Sequence, residues 1–244
     1  MTFDRAQLDK DRLKNAESLA NDNEVQQIAL DLITKSDRHF HAYQWNWFGL
    51  PIIQSTEDII AAQELVWKVK PDVIIETGVA WGGSIVFYAA LLELIGKGKI
   101  VGVDLVLPQK NIDLIMGYNF SKRIELIQGS SIEQSIVDQV KTHVKAGDTV
   151  MLMLDSNHTH EHVLEELRLY SPLVGKDSYI IVSDTIVEDI PVQEHRPRPW
   201  GPGDNPKTAV NAFLKESDRF ELDPYYNGKV LITFDKGGYL RCVK

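Results

Sequence analysis

A glycine-rich segment between two apolar runs constrains the fold of this chain more than any other feature. The β-branched run at residues 73–75 ends at Glu76, and an apolar helical run begins after Gly78, Gly82 and Gly83. Glycine has no Cβ, so its backbone can adopt a positive φ and approach a ligand closely. The N-terminus of the following helix offers free N–H groups and a positive dipole end to an anionic group. The segment therefore predicts a strand, a ligand-binding turn and a helix.

The spacing of this turn differs from that of the dinucleotide-binding fingerprint G-x-G-x-x-G. Its second glycine comes later, at Gly82, and Glu76 precedes the first glycine. An E-x-G-x-x-x-G turn after the first strand of an alternating α/β chain is typical of the S-adenosylmethionine site of a class I methyltransferase. The alternative is a plain strand-to-helix connection without a ligand, but such a connection needs fewer glycines.

Strand and helix patterns alternate along the middle of the chain, which predicts a parallel sheet with right-handed crossovers. After the first strand, apolar strand patterns lie at residues 99–105, 124–127, 149–154 and 179–182. The closely spaced patterns at 220–223, 229–234 and 239–243 must pair antiparallel. We therefore expect an α/β, Rossmann-like class I methyltransferase fold: a mostly parallel seven-stranded sheet with an antiparallel C-terminal strand, preceded by N-terminal helices.

Two segments fall outside this alternation. Residues 1–50 combine amphipathic helical patterns with an aromatic cluster and predict a helical extension, which is a substrate lid, a subunit contact or a packed appendage. The aromatic side chains can line a pocket or form core, because both uses bury the same rings. The proline-rich segment 185–206 follows the end of a predicted strand, so we expect it to be an active-site lid. No repeat or linker divides the chain, which we interpret as one methyltransferase domain over residues 1–244.

Composition excludes several functional classes. The formal net charge of −9 argues against nucleic-acid binding. The single cysteine, Cys242, excludes an internal disulfide. No apolar run is long enough to span a bilayer, and the first residues are charged rather than apolar. We therefore expect a cytoplasmic protein without a membrane partner.

Four predicted strands end in an acidic residue: Glu76, Asp104, Asp155 and Asp184. Ligands of parallel α/β sheets bind at the carboxyl ends of the strands. Asp104 is placed to accept hydrogen bonds from ribose hydroxyls, in methyltransferases and nicotinamide-binding folds alike. Ser130 follows the third strand, where it would contact an adenine ring or cap a helix. The candidate cofactor-binding residues are Glu76, Gly78, Gly82, Ser84, Asp104, Ser130 and Asp155.

Asp155, His158 and Asp184 are candidates for the chemistry itself. Carboxylates from adjacent strand ends suit a hard divalent cation such as Mg²⁺, which would bind a substrate hydroxyl and lower its pKa. His158 could then accept the proton as general base. Helix capping, binding of the cofactor ammonium, or an ordinary surface histidine are the alternatives. His160 and His162 do not suggest a zinc site, because residues two apart on a helix do not face each other.

Five short motifs occur in order along residues 40–243: W-F-G-L-P at 47–51, E-T-G at 76–78, G-G-S at 82–84, L-D-S-N-H at 154–158, and T-F at 233–234 before G-Y-L at 238–240. Together they resemble the cephalosporin hydroxylase/rhamnosyl O-methyltransferase family, whose members are S-adenosylmethionine-dependent O-methyltransferases, often oligomeric and Mg²⁺-dependent. The L-D-S-N-H motif is also similar to that of macrolide sugar O-methyltransferases. The resemblance implies a homo-oligomer in which Asp155 and Asp184 are metal ligands and His158 is the base.

One position departs from the family pattern. The family commonly has Glu-Asp at the end of the fifth strand, whereas this chain has Ser183-Asp184. Loss of a carboxylate lowers metal affinity unless another group substitutes for it. This departure questions the requirement for Mg²⁺, but it does not question methyl transfer.

The sequence thus predicts an S-adenosylmethionine-dependent O-methyltransferase that acts on a hydroxyl of a small molecule, a sugar or a sugar-containing metabolite. Arg196, Arg198 and Trp200 of the proline-rich segment, with the aromatic cluster, would enclose this acceptor. The alternatives are a nicotinamide-dependent oxidoreductase and a cofactor-binding subunit without catalysis. The missing G-x-G-x-x-G disfavours the first alternative, and Ser183 keeps the second one open.

Overall fold

A seven-stranded sheet forms the centre of the structure, a computed structural model that describes residues 3–244. In chain order its strands are β1 Val73–Thr77, β2 Lys99–Asp104, β3 Ile124–Gln128, β4 Val150–Leu154, β5 Tyr179–Val182, β6 Phe220–Leu222 and β7 Tyr239–Cys242. Their order across the sheet is β3-β2-β1-β4-β5-β7-β6. Strands β1 to β5 pair in parallel, and β7 runs antiparallel to β5 and β6. The predicted fold class is confirmed.

Helices cover both faces of this sheet. They are α1 Arg5–Ala20, α2 Asn23–Asp37, α3 Thr56–Val69, α4 Gly83–Ile95, α5 Gln109–Met116, α6 Gln134–Lys141, α7 His160–Tyr170, α8 Pro206–Glu216 and α9 Pro224–Lys229. Successive strand residues point to opposite faces. Ile74 of β1 belongs to the core formed with α3 and α4, and Ile75 belongs to the core formed with α6, α7 and α8.

The sheet positions a ligand site at one place. Strand order reverses between β1 and β4, and in open α/β sheets ligands bind in the crevice at such a switch point. The predicted N-terminal helices α1 and α2 are present, and a short hairpin, Asn46–Trp47 with Leu50–Pro51, follows them. The Trp47 ring packs edge-on against Phe87 of α4, with 5.0 Å between ring centroids. Part of the aromatic cluster is therefore core.

The strand predicted at residues 229–234 is wrong. Asp223 accepts hydrogen bonds from the N–H groups of Tyr225 and Tyr226, and this cap starts helix α9 instead. Two N–H groups of the chain after α9 donate to side chains of α3 rather than to a neighbouring strand. The N–H of Leu231 donates to Glu57 at 2.6 Å, and the N–H of Phe234 donates to Asp58 at 2.8 Å.

The proline-rich segment has little regular structure. It begins with a 3₁₀ turn, Thr185–Glu188, and then runs irregularly to α8, with one isolated pairing between Gly201 and Asp204. Lys207 Nζ of α8 contacts the Asp189 carboxylate at 2.6 Å and holds the beginning of the segment against α8. Across residues 3–244, no helix combines the length and the apolar character needed to cross a membrane.

Candidate active site

A cleft opens at the carboxyl ends of β1, β4 and β5, where the strand order reverses. The turns after these strands form its floor. The end of α2, the segment after it, and the proline-rich segment form the opposite wall. Among the residues predicted from sequence, those on the cleft wall are Gly78, Ser84, Asp155, His158, Asp184, Tyr43, Arg196, Arg198 and Trp200. Those that lie outside the wall are Glu76, Gly82, Asp104 and Ser130.

The turn after β1 is packed tightly against the end of β4. Gly78 has a φ of +92°, and a Cβ at this position would lie 2.0 Å from the carbonyl oxygen of Asp155. A Cβ on Gly83 would lie 2.2 Å from the carbonyl oxygen of Pro51. Backbone therefore fills the space on the Cβ side of both glycines. Gly78 thus brings the β1 turn and Asp155 together as the floor of the cleft, and Gly83 brings the start of α4 against Pro51.

Glu76 lies beneath this turn with only 1% of its surface exposed. Burial raises the pKa of its carboxyl to about 8, and a hydrogen bond from the Ser84 hydroxyl offsets part of that effect. Its Oε2 atom has no hydrogen-bond partner within the described chain. A buried acceptor without a partner costs free energy, so this oxygen fits a site that a donor from a ligand completes.

Asp104 at the end of β2 holds the glycine turn in place. One carboxylate oxygen accepts from the N–H groups of Val79 and Ala80, at 2.8 and 2.9 Å, and the other accepts from Val106 at 3.0 Å. Each oxygen can accept two hydrogen bonds, so the second one retains capacity for a hydroxyl. Its predicted contact with ribose stays a prediction.

Ser130 is half-buried just after β3, whereas its neighbour Ser131 is buried and hydrogen-bonds within the protein. The Ser131 hydroxyl donates to the buried Glu166 of α7 at 2.6 Å, and the Ser156 hydroxyl donates to the same oxygen at 2.6 Å. Neither Ser130 nor Ser131 caps α6, which begins after Glu133. The network instead ties the turn after β3 to the turn after β4.

Asp155, His158 and Asp184 come together as predicted. One ligand atom from each residue lies within 4.8 Å of the others. His158 Nε2 is 3.3 Å from Asp184 Oδ2. Burial lowers the pKa of His158, and Asp184 opposes part of this shift. Burial also raises the pKa of Asp155, and the nearby Asp184 carboxylate raises it further. The cluster thus holds a neutral imidazole beside two carboxyl groups, whose oxygens are the ligands that fit a hard divalent cation.

Two further acids, Asp58 and Asp235, lie on the same cleft, and sequence reasoning missed both. Asp235 is 4% exposed, and its Oδ1 accepts from the N–H of Asp184 at 3.3 Å. Asp58 accepts from Phe234 and from the hydroxyls of Ser55 and Tyr239. In the sequence Asp58 has the pattern of a helix cap and Asp235 that of a turn, so neither carried a signal for the site.

The opposite wall is built mainly from side chains. The Trp200 and His158 rings meet edge-on with centroids 4.8 Å apart. Arg196 Nη2 pairs with Asp37 of α2 at 2.6 Å, which joins the proline-rich segment to the N-terminal extension. Both Arg196 and Arg198 donate to the Tyr43 hydroxyl, at 3.1 and 3.0 Å. The N-terminal extension therefore contributes to the cleft as well as packing on the domain.

Comparison with known proteins identifies the family. The family described as "Rhamnosyl O-methyltransferase/CmcI" matches residues 39–243. The rhamnosyl O-methyltransferase of Mycobacterium leprae (strain TN) is 28% identical over 208 residues, which cover 83% of this chain and 86% of the relative. The rhamnosyl O-methyltransferase of Mycobacterium tuberculosis (strain ATCC 25618 / H37Rv) is 27% identical over 172 residues, which cover 70% of this chain and 66% of that relative.

Solved structures agree on the fold. CmcI with Mg and SAM ("cmcI-D160 Mg-SAM") superposes with a TM-score of 0.58 at 17% identity, covering 83% of this chain and 78% of the other. The O-methyltransferase from Bacillus cereus in complex with SAH gives 0.54 at 16% identity, covering 91% of both chains. The family match overrides the nicotinamide-dependent alternative. The chain belongs to the rhamnosyl O-methyltransferase/CmcI family and is an S-adenosylmethionine-dependent O-methyltransferase.

Proposed function

We propose that this methyltransferase acts on a hydroxyl of a sugar or sugar-containing small molecule, with His158 as the general base. The observation that carries the proposal is the contact of His158 with Asp184, 3.3 Å apart, beside the glycine turn in one cleft. The relatives named as rhamnosyl O-methyltransferases support a sugar as the acceptor.

The pKa of His158 suits this role. Methyl transfer is an in-line displacement at a sulfonium carbon, so the protein must position the two reactants and remove the hydroxyl proton. Burial lowers the pKa of His158, so the imidazole is neutral near pH 7. Its Nε2 atom faces the Asp184 carboxylate as the N–H donor, so Nδ1 is the nitrogen that would accept the hydroxyl proton. Asp184 would then stabilise the imidazolium that forms.

The cofactor would lie along the turn after β1. Its methionine end would meet Gly78 and Ser84 on the cleft floor, with Glu76 as the acceptor for the ammonium group. Its adenosine would extend over Gly82 toward Asp104 and Ser130, outside the cleft. Large exposed apolar side chains at Trp81, Leu105 and Val106 support this path, because a flat adenine ring packs well on such a surface.

Asp155 and Asp184 would hold a divalent cation. The cation would lower the pKa of the acceptor hydroxyl when bound. Ser183 supplies no carboxylate, but Asp235 lies behind Asp184 and accepts a hydrogen bond from its N–H at 3.3 Å. Paramagnetic resonance of Mn²⁺ tests the site: Asp184→Asn should weaken binding strongly, and the exposed Asp113→Asn should not. Equal Mn²⁺ binding by the two variants would refute the assignment of Asp184 as a metal ligand.

We further propose that residues 185–206 are a lid over the acceptor and that the chain is one domain. Support comes from Arg196, Arg198 and Trp200, which place three side chains of this segment on the cleft wall. If this segment closes over the acceptor, its hydrogen exchange should slow when an acceptor binds. The cofactor alone should not slow it. Unchanged exchange with an acceptor present would contradict the lid.

A substitution at His158 tests the central claim. We expect His158→Ala to lower the turnover of a hydroxyl acceptor by about 10²–10⁴-fold, the usual contribution of a general base. Calorimetric affinity for S-adenosylmethionine should stay unchanged. His143→Gln is the matched control, since His143 contacts Lys99 at the opposite end of the sheet. Full turnover in His158→Ala would refute the role of His158 as general base. If the wild type binds the cofactor but turns over no hydroxyl acceptor, the result would favour a catalytically inactive subunit.

A further inference from the structure

We propose that the acceptor carries an anionic group, a carboxylate or a phosphate, and that Arg198 binds this group. The inference rests on the proposed function, because it defines the chemical class of the acceptor for the same cleft. It comes from a difference between two arginines of the proline-rich segment, which are separated by a single proline but have different partners.

Arg196 is neutralised by the protein itself. Its guanidinium makes two contacts with the Asp37 carboxylate, at 2.6 and 3.1 Å, and both side chains are largely buried. His195 Nε2 also contacts this carboxylate, at 2.8 Å. The paired arginine holds the proline-rich segment against α2, and its charge is not available to a ligand.

Arg198 has no such partner. Within residues 3–244, no carboxylate lies within 4.0 Å of its guanidinium, although it is half-buried on the cleft wall. It uses one N–H group to reach the Tyr43 hydroxyl at 3.0 Å, and its guanidinium carbon is 5.1 Å from the centroid of the Trp200 ring. A guanidinium has five N–H donors, so most of them remain free.

The free donors have the right chemistry for an anion. The planar fork of arginine matches the oxygens of a carboxylate or a phosphate, with two parallel hydrogen bonds. A neutral hydroxyl gains no ionic contact from a guanidinium and can be bound by any polar side chain. None of the acids on the cleft wall lies within salt-bridge distance of Arg198; they are Asp37, Asp58, Asp155, Asp184 and Asp235. The unpaired charge therefore remains for the ligand.

The position of Arg198 places this anion close to the reacting hydroxyl. The Trp200 ring contacts both Arg198 and His158: its centroid is 5.1 Å from the Arg198 guanidinium carbon and 4.8 Å from the centroid of the His158 ring. Arg198 and the base thus share one indole as a neighbour on the wall of the same cleft. The anionic group would lie on the methylated sugar unit or next to it.

Binding of matched sugars to the full chain tests the proposal. The first arm compares D-glucuronate with D-glucose and D-galacturonate with D-galactose, so that each pair differs in a carboxylate. The second arm compares glucose 1-phosphate with glucose. Dissociation constants are measured by ligand-observed NMR with S-adenosylhomocysteine bound. We expect at least one charged sugar to bind about tenfold or more tightly than its neutral partner, the effect of one charge-assisted fork. The arm in which the charged sugar binds more tightly shows whether the anionic group of the acceptor is a carboxylate or a phosphate.

Variants assign the effect to Arg198. Arg198→Gln should remove the preference for the charged sugar, and Arg198→Lys should retain part of it, because the charge stays but the fork is lost. Arg38→Gln should retain all of it, because Arg38 is exposed and donates only to the Lys35 carbonyl at 3.0 Å. Calorimetry with S-adenosylhomocysteine on every variant shows that the cofactor site is intact.

The outcomes separate this inference from the proposed function. No binding of S-adenosylhomocysteine by the wild type would be a failure of the proposed function. Binding of S-adenosylhomocysteine without any preference for a charged sugar, including no sugar binding at all, would overturn the anionic acceptor. An equal loss of charged and neutral sugar binding in Arg198→Gln would also overturn it, because a purely structural arginine gives that result.

Discussion

The two sides of the cleft are built in different ways. On the cofactor side, backbone hydrogen bonds continue the strand pairing into the turns: the N–H of Gly78 donates to Val103 at 2.8 Å and the N–H of Asp155 donates to Thr77 at 2.9 Å. The Asp104 carboxylate adds hydrogen bonds to the same backbone. On the acceptor side, side chains hold side chains, as in the contacts of Arg196 with Asp37 and Tyr43. The first arrangement follows from strand register, whereas the second depends on segments far apart in the chain. We therefore expect the cofactor side to be intolerant of change and the acceptor side to be adjustable.

The largest expected effect is that of Gly78→Ala. The new Cβ would lie 2.0 Å from the Asp155 carbonyl oxygen, on a residue with a φ of +92°. The turn and the end of β4 must separate, so we expect the free energy of unfolding to fall by about 2–4 kcal/mol. Affinity for S-adenosylmethionine should fall by about 100-fold or more, since misplaced binding groups lose most of their contribution. Urea unfolding and calorimetry measure the two quantities.

Gly147→Ala is the matched control for this change. Gly147 has nearly the same φ, +91°, but a Cβ there meets nothing within 4 Å. It should lose only the free energy of backbone strain, about 1 kcal/mol, and should bind the cofactor normally. Equal effects of the two substitutions would show that strain, and not contact with Asp155, makes Gly78 necessary.

A second prediction concerns the pH dependence that Glu76 gives to the cofactor side. The pKa of this carboxyl is about 8 in the folded protein, well above its ordinary value of 4.5. Between about pH 4.5 and 8 the folded chain keeps a proton that the unfolded chain has lost, so Glu76 makes the protein less stable as pH rises. With Glu76→Gln, the free energy of unfolding should fall less steeply as pH rises, by up to about 1.4 kcal/mol per pH unit. Urea unfolding at pH 5 and pH 8 measures the change.

The exposed Glu125 of β3 provides the comparison, since Glu125→Gln should leave the slope as it is. If the cofactor ammonium pairs with Glu76, binding of the cofactor near pH 7 must also ionise the Glu76 carboxyl. Calorimetry in buffers of different ionisation enthalpy should then show about one proton released. A Glu76→Gln variant with an unchanged stability slope, or a wild type that releases no proton, would contradict this role for Glu76.

This contrast also explains what could be predicted from sequence. Glu76, Asp155 and Asp184 follow apolar strand runs. Alternating strands and helices predict a parallel sheet, and the carboxyl ends of parallel strands meet at one edge, so the sequence alone predicts that these acids share that edge. Asp235 joins them only because the segment after α9 docks on α3 through Glu57 and Asp58, a contact between side chains and a distant backbone. The same docking made residues 229–234 irregular rather than a strand. Periodicity carries no information about contacts of this kind.

The smallest expected effect lies on the acceptor side, at Arg196. Arg196→Gln breaks the pair with Asp37 but leaves His195 in contact with that carboxylate, so the free energy of unfolding should fall by less than about 1.5 kcal/mol. Hydrogen exchange should quicken within residues 191–205 and stay unchanged in the sheet, because local opening needs few buried contacts to break. Arg168→Gln removes an ion pair of the same length, 2.6 Å, with Glu216; this pair is exposed and lies away from the cleft, so that segment should be unchanged. If Arg196→Gln instead destabilised the sheet as strongly as Gly78→Ala, the acceptor side would be as integral to the fold as the cofactor side, and the distinction between them would fail.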